Sequence, residues 1–407
     1  MRGSLFQSVV PLLVAVSTLY AADEFAEERQ LVLGLGNLTA APARFAAEGF
    51  AKDERIEAIF FEGLPWKGSA TRVFAWLGLP EDGGAKVPGI VLVHGGGGTA
   101  FREWVERWTG RGYAAISIAV EGQTDEAEEV PPRARRSWKR HAWAGPRREG
   151  IYADSSEPLR DQWMYHAVAD TVLANSLLRS LPRVDADRVG LMGISWGGVI
   201  TSTAIGIDQR FAFAIPTYGC GHLFDSANRW GEALGDNRLY REVWDPMVRI
   251  DRVLAPVLWL SWPGEGAFPL DCQAACYRAA PGRRMVSLIP GMGHSHRAGW
   301  TPPDSYAFAD SVVRSGEPWL TLTESNLSNG TVRVQMTAAK HLDSASLVWT
   351  GDLGFTGSRE WAQSPAELTR NGGTWLVTAA LPDIATAWFV NVRSGELTAS
   401  SDYEQIR

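Results

Sequence analysis

Val189-Gly190-Leu191-Met192-Gly193-Ile194-Ser195-Trp196-Gly197-Gly198 is the stretch that decides how this chain is read. Its first half is a short apolar run, as expected of a strand covered on both faces. Its second half is rich in small residues and reads as the start of a helix packed closely on a sheet. Across the junction, Gly193 to Gly197 match G-x-S-x-G. In a strand–turn–helix setting this spacing lifts a serine hydroxyl onto a sharp turn, with the helix dipole facing developing negative charge. The glycines let neighbouring backbone pack closely. Ser195 is the candidate nucleophile.

Working outward, residues 88–94 hold another continuous apolar run and end in His94-Gly95-Gly96-Gly97-Gly98. A glycine loop at that point can lend a backbone N–H to an oxyanion hole, partnered by the N–H of Trp196. Gly96 and Gly97 are both candidates, and His94 reads as an anchor for the loop. The Lys-Ser/Thr of a phosphate-binding loop is missing. After the strand expected at 285–289 comes Gly291-Met292-Gly293-His294-Ser295-His296. His294 is the preferred general base and His296 its competitor. After the strand expected at 257–262 stand two acid candidates, Glu265 and Asp271. Glu265 lies nearer the strand end, whereas Asp271 follows Pro269 and looks like the N-cap of the next helix. Ser195, Glu265 and His294 then run in the order nucleophile, acid, base.

The rest of the chain supplies the frame. An antiparallel pair is expected at 57–63 and 71–77, with further strands at 113–119, 189–194 and 211–216. Helices are expected at 101–108, 159–181 and 302–315. Strand–helix alternation of this kind predicts an α/β fold, a mostly parallel sheet with helices on both faces. From about Pro318 the pattern changes to short alternating runs at 331–337, 346–350, 374–381 and 387–392, which predicts a small C-terminal antiparallel β-sandwich. The expected organisation is a signal peptide over 1–22, a catalytic domain over 23–316 and the sandwich over 317–407. Every candidate catalytic residue precedes Pro318, so deletion from there is expected to leave activity on a small ester.

Residues 121–158 are polar, rich in Pro, Arg and Trp, and without period; a loop of that length is usually functional. Trp138, His141 and Trp143 are its candidate substrate contacts, on the side of the sheet where ligands bind in open α/β folds. The 407 residues carry a formal net charge of −7, with 45% apolar and 21% charged residues. The densest Arg/Lys cluster, from Arg133 to Arg148, is flanked by acidic residues, so no nucleic-acid partner is expected. No metal-ligand spacing stands out, and no cofactor is expected. The N-terminus has Arg2, an apolar run over 5–19 and small Ala21 and Ala22, which predicts export to the periplasm or beyond; no later stretch is long enough to span a membrane. Three cysteines (Cys220, Cys272 and Cys276) do not make a disulfide framework. The 18 tryptophans are read mainly as packing, and an exposed one near the site is a candidate platform for a sugar ring.

These segments resemble the secreted bacterial acetylxylan-esterase-like hydrolases, related to dienelactone hydrolases and to prolyl-oligopeptidase-type α/β-hydrolases. The resemblance runs through 91–108, 161–221 and 255–312. Val93 to Ala100, Gly193 to Gly198, Tyr218-Gly219-Cys220-Gly221 and Gly293 to Trp300 carry it. It implies the α/β-hydrolase fold with a small appended domain, and hydrolysis of a carboxylic ester, such as an acetyl group on a plant polysaccharide. Relatives carry an Asn-Gly-Thr-Asn-Asp type of turn with Asp as the acid; here the turn is Ser261-Trp262-Pro263-Gly264-Glu265. Two other readings stand beside this one. One is a serine peptidase of the prolyl-oligopeptidase type, although the chain has no room for the propeller that restricts access in those enzymes. The other is a non-catalytic carbohydrate-binding relative.

Overall fold

The computed structural model describes residues 23–50, 53–81, 83–129, 131 and 137–406. The expected signal peptide, 1–22, lies outside them. Eight strands form the body of the catalytic sheet, β1 Ile56–Glu62, β2 Arg72–Gly78, β3 Val87–Val93, β4 Ala114–Ile118, β5 Val184–Ile194, β6 Ala214–Thr217, β7 Val257–Ser261 and β8 Arg284–Leu288, and the three-residue strand Arg44–Ala46 adds antiparallel to the outer edge of β1. Their pairings give the order 1-2-4-3-5-6-7-8, with β2 antiparallel to both neighbours and the rest parallel. Ile90, Val91, Leu92 and Val93 are fully buried, as a strand covered on both faces requires. The covering helices include α1 Arg102–Thr109, α2 Trp163–Ser180, α3 Trp196–Ala204, α4 Leu270–Ala279 and α5 Pro303–Ser315. Ser195 lies between β5 and α3, near the middle of the sheet. Among the described residues no helix is long and apolar enough to cross a membrane.

The C-terminal region is antiparallel: β9 Leu320–Ser328, β10 Thr331–Ala338, β11 Ser344–Thr350, β12 Ala362–Asn371, β13 Thr374–Ala380, β14 Ala387–Ser394 and β15 Leu397–Ser400. The sequence reading missed β9, β12 and β15. β9 and β12 expose most of their residues, so their apolar alternation is faint. One layer is β9-β10-β13-β12; the other is β12-β11-β14-β15, with β12 shared.

β15 also pairs antiparallel with β8, Val286 opposite Ser400, so the second layer continues the catalytic sheet. Side chains stitch the same seam. Ser400 Oγ accepts from Leu288 N–H, Ser287 Oγ donates to Thr398 O, and Asn391 Nδ2 donates to Leu288 O. Arg284 pairs with Asp402 at 2.8 Å. Removing 318–407 strips this cover and exposes an apolar edge strand. Activity of a truncated chain on a small ester is therefore expected together with a loss of stability. A chain ending at Glu317 is expected to melt at least about 10 °C below the full chain, since several lost interactions at about 1 kcal/mol each shift melting by about 2–4 °C apiece. Equal melting temperatures by circular dichroism would show that the continuous sheet adds no stability.

Candidate active site

The turn after β5 puts Ser195 at φ 59°, ψ −116°, a left-handed backbone that costs a non-glycine residue about 1–3 kcal/mol. Ser195 N–H donates to Thr217 O at 2.9 Å, which ties the turn to β6. A Cβ on Gly193 would collide with the Gly197 carbonyl, and one on Gly197 with the Val93 carbonyl, so both glycines are demanded by close backbone packing.

His294 stands on the loop after β8. Its Nε2 is 3.0 Å from Ser195 Oγ and its Nδ1 is 2.7 Å from Glu265 Oε2. Glu265 is buried, and the other hydrogen bonds to its carboxylate come from N–H donors: Trp262 Nε1 at 2.9 Å to Oε2, and Ala267 and Phe268 N–H to Oε1. A carboxylate that only accepts fixes the tautomer: Nδ1–H donates to Glu265, and the lone pair of Nε2 faces the serine hydroxyl. Tyr218 stacks on the imidazole with centroids 4.5 Å apart and holds the ring plane.

The competing candidates lie elsewhere. Asp271 is in the first turn of α4, whose N-cap is Pro269, so the expected N-cap role is not found. Its Oδ1 accepts from Thr356 Oγ1 at 2.9 Å, a contact to the C-terminal region. His296 turns away from the serine, and its Nε2 accepts from Gly95 N–H at 2.9 Å. Burial lowers its pKa to about 4, so at neutral pH it is an acceptor that holds the glycine loop. His94 anchors the same loop from within: Nε2 accepts from Val120 N–H, so Nδ1–H donates to Gly95 O. Burial takes its pKa to about 4 as well.

Gly95 to Gly98 form a turn closed by Gly98 N–H to Gly95 O at 3.0 Å, and φ 74° at Gly97 is the left-handed third position that favours glycine. Among the described residues, no acceptor takes the backbone N–H of Gly96, Gly97 or Trp196. Gly96 is the one beside Trp196: a Cβ there would stand 2.9 Å from Trp196 Cδ1, whereas a Cβ on Gly97 meets open space.

The loop candidates separate. Trp138 Nε1 donates to Gly97 O at 3.0 Å, on the rim of the glycine loop. His141 and Trp143 pack instead on Phe60 of β1, with centroids 4.9 and 5.7 Å away. Arg72 of β2 lies over the Trp143 ring at 4.2 Å. β2 and β5 are three strand spacings apart, about 14 Å, so the structure does not bring this pair to Ser195. Trp196 and Trp230 are buried and pack on each other at 4.6 Å, as core rather than as sugar platforms. The cysteines are free and buried.

Sequence reasoning missed Arg148. Its guanidinium lies 5.1 Å over the Trp196 ring, and its Nε donates to Glu121 Oε1 at 3.2 Å. The only signal was membership of the Arg/Lys cluster, which says nothing of where the loop folds back.

Residues 51–250 match the acetyl xylan esterase (AXE1) family model. The chain is similar to the acetyl xylan esterases over that segment, and its fold is that of an α/β-hydrolase. It is a carboxylic ester hydrolase. The matched segment holds the glycine loop and Ser195, while Glu265 and His294 lie beyond its end. Two solved structures show the same fold. The acetyl xylan esterase from Paenibacillus sp. R4 is 20% identical, with a TM-score of 0.50 over 68% of this chain and 91% of that one. Acetyl xylan esterase 1 from Thermoanaerobacterium sp. JW/SL YS485 is 19% identical, with a TM-score of 0.51 over 67% of this chain and 89% of that one. A search of curated proteins finds no match. About a third of this chain lies outside each match.

Proposed function

We propose that this esterase removes acetyl groups from plant polysaccharide, or from oligosaccharides derived from it, by a Ser195–His294–Glu265 acyl-enzyme mechanism. The observation that carries the reading is the hydrogen-bonded chain from Glu265 through His294 to Ser195 Oγ. His294 Nε2 takes the hydroxyl proton as Oγ attacks the ester carbonyl. The N–H groups of Gly96 and Trp196 receive the oxyanion, and Glu265 stabilises the imidazolium. His294 then returns the proton to the leaving alcohol, and water repeats the sequence to free acetate. The apolar 5–19 run supports export, where such a substrate is met. The test is acetate release from acetylated xylo-oligosaccharides and from an aryl acetate, with covalent capture of Ser195 by a fluorophosphonate. Failure of both would sink the reading.

Glu265→Gln is expected to lower kcat by roughly 10²- to 10⁴-fold, because an amide neither stabilises imidazolium nor accepts as well from Nδ1–H. Asp271→Asn is expected to keep turnover and change only the melting temperature, through its contact with Thr356. Measuring both variants by kcat and by melting separates the roles. If Asp271→Asn stops turnover and Glu265→Gln does not, the acid is Asp271.

A further inference from the structure

We propose that Arg148 is a specificity-determining residue, one that takes a carboxylate carried by the substrate beside the scissile ester, as on a uronic acid. The proposal rests on the esterase reading above. A Cβ on Gly96 would stand 3.1 Å from Arg148 Nη2, so the guanidinium fills the space where a side chain at position 96 would project. It therefore borders Gly96, one proposed oxyanion donor, and lies over the indole of Trp196, the residue that carries the other.

Its hydrogen bonds leave one edge open. Nε is engaged by Glu121 and Nη1 donates to Gly150 O at 2.7 Å, while Nη2 has no hydrogen-bond partner among the described residues. The side chain retains 20% exposure, and Nη2 is not among the fully buried unpartnered atoms. A permanently charged planar donor that is partly desolvated and unsatisfied on one edge suits a carboxylate oxygen.

The neighbouring surface has the same sign. A groove beside the glycine loop is lined by Gly97, Gly98, Trp138, Arg140 and Arg147. With Arg148 this makes three guanidinium groups against two carboxylates, Glu121 and Glu128, in a chain whose net charge is −7. A substrate lying from the glycine loop towards Trp138 meets local positive charge on a negative protein. That charge favours acidic over neutral esters.

The experiment compares kcat/KM on matched esters. An aryl hemisuccinate against an aryl acetate places the carboxylate on the acyl side. Acetylated xylo-oligosaccharides with and without a uronic acid branch place it on the alcohol side. In at least one pair the acidic ester is expected to be preferred, and Arg148→Gln to reduce that preference by roughly 10- to 100-fold. Because Arg148→Gln leaves Glu121 unpaired, Arg148→Gln with Glu121→Gln is run beside it, removing both charges. Arg148→Lys is expected to retain part of the preference. No preference in either pair, or an equal loss on acidic and neutral esters, overturns the proposal. If the unaltered enzyme hydrolyses aryl acetate but shows no preference, this proposal alone fails. If it hydrolyses none of the esters, the esterase reading fails first.

Discussion

Ser195→Ala is expected to lower kcat on an aryl acetate by roughly 10⁴- to 10⁶-fold and to abolish fluorophosphonate labelling, with little change in melting temperature. The size of the effect follows from the role of Oγ, since no other hydroxyl hydrogen-bonds His294 Nε2 among the described residues. Stability is spared because alanine carries the same Cβ through the same φ 59° turn, so the backbone strain is unchanged. The turn's ties, Ser195 N–H to Thr217 O and Val199 N–H to Ser195 O, are backbone bonds that the substitution leaves alone. Purified variant keeping more than about a tenth of the activity would remove Ser195 from the mechanism, given how much triad members contribute in measured cases.

His294→Ala is expected to be nearly as damaging, because in the proposed mechanism proton removal from Oγ and proton delivery to the leaving alcohol both pass through Nε2. His296→Ala is expected to cost far less, roughly 10-fold in kcat, below the 10²–10³ for removing an oxyanion donor outright. His296 acts one step back: its Nε2 holds Gly95, and a Cβ on Gly98 would come within 2.6 Å of it, so its loss loosens the loop that carries Gly96. Kinetics of the two variants on one ester decide the matter. A larger loss for His296→Ala would put the base two residues further on.

Local signals carried far in this chain. The eight strands of the catalytic sheet each lay close to an apolar run, because a strand buried on both faces has to be apolar along its length. The turn at Ser195 was equally legible, since close packing against the Val93 carbonyl admits only glycine at 197. The edge strands β9 and β12 were not, because solvent-facing strands need no apolar face. Nor was the placement of Trp138, His141 and Trp143. Three ring side chains a few residues apart look alike in sequence, yet one reaches Gly97 and two pack on Phe60.

By itself, then, the sequence determined the strand–turn–helix at Ser195, the parallel sheet around it, and the positions where an acid and a base could stand. Periodicity and glycine demand are local properties, written within ten residues or so. Only the tertiary structure shows which of the candidates at each position come together. Glu265 reaches His294 across 29 residues of chain, while Asp271 is engaged by Thr356 across 85. His296 is committed to Gly95 across 201 residues, and Arg148 comes beside Gly96 only because its loop folds back over the sheet. Likewise β15 joins β8 to make one continuous sheet of two regions that read as separate. Such choices depend on which groups meet after collapse, and chain-distant contacts of that kind leave no period or spacing in the sequence.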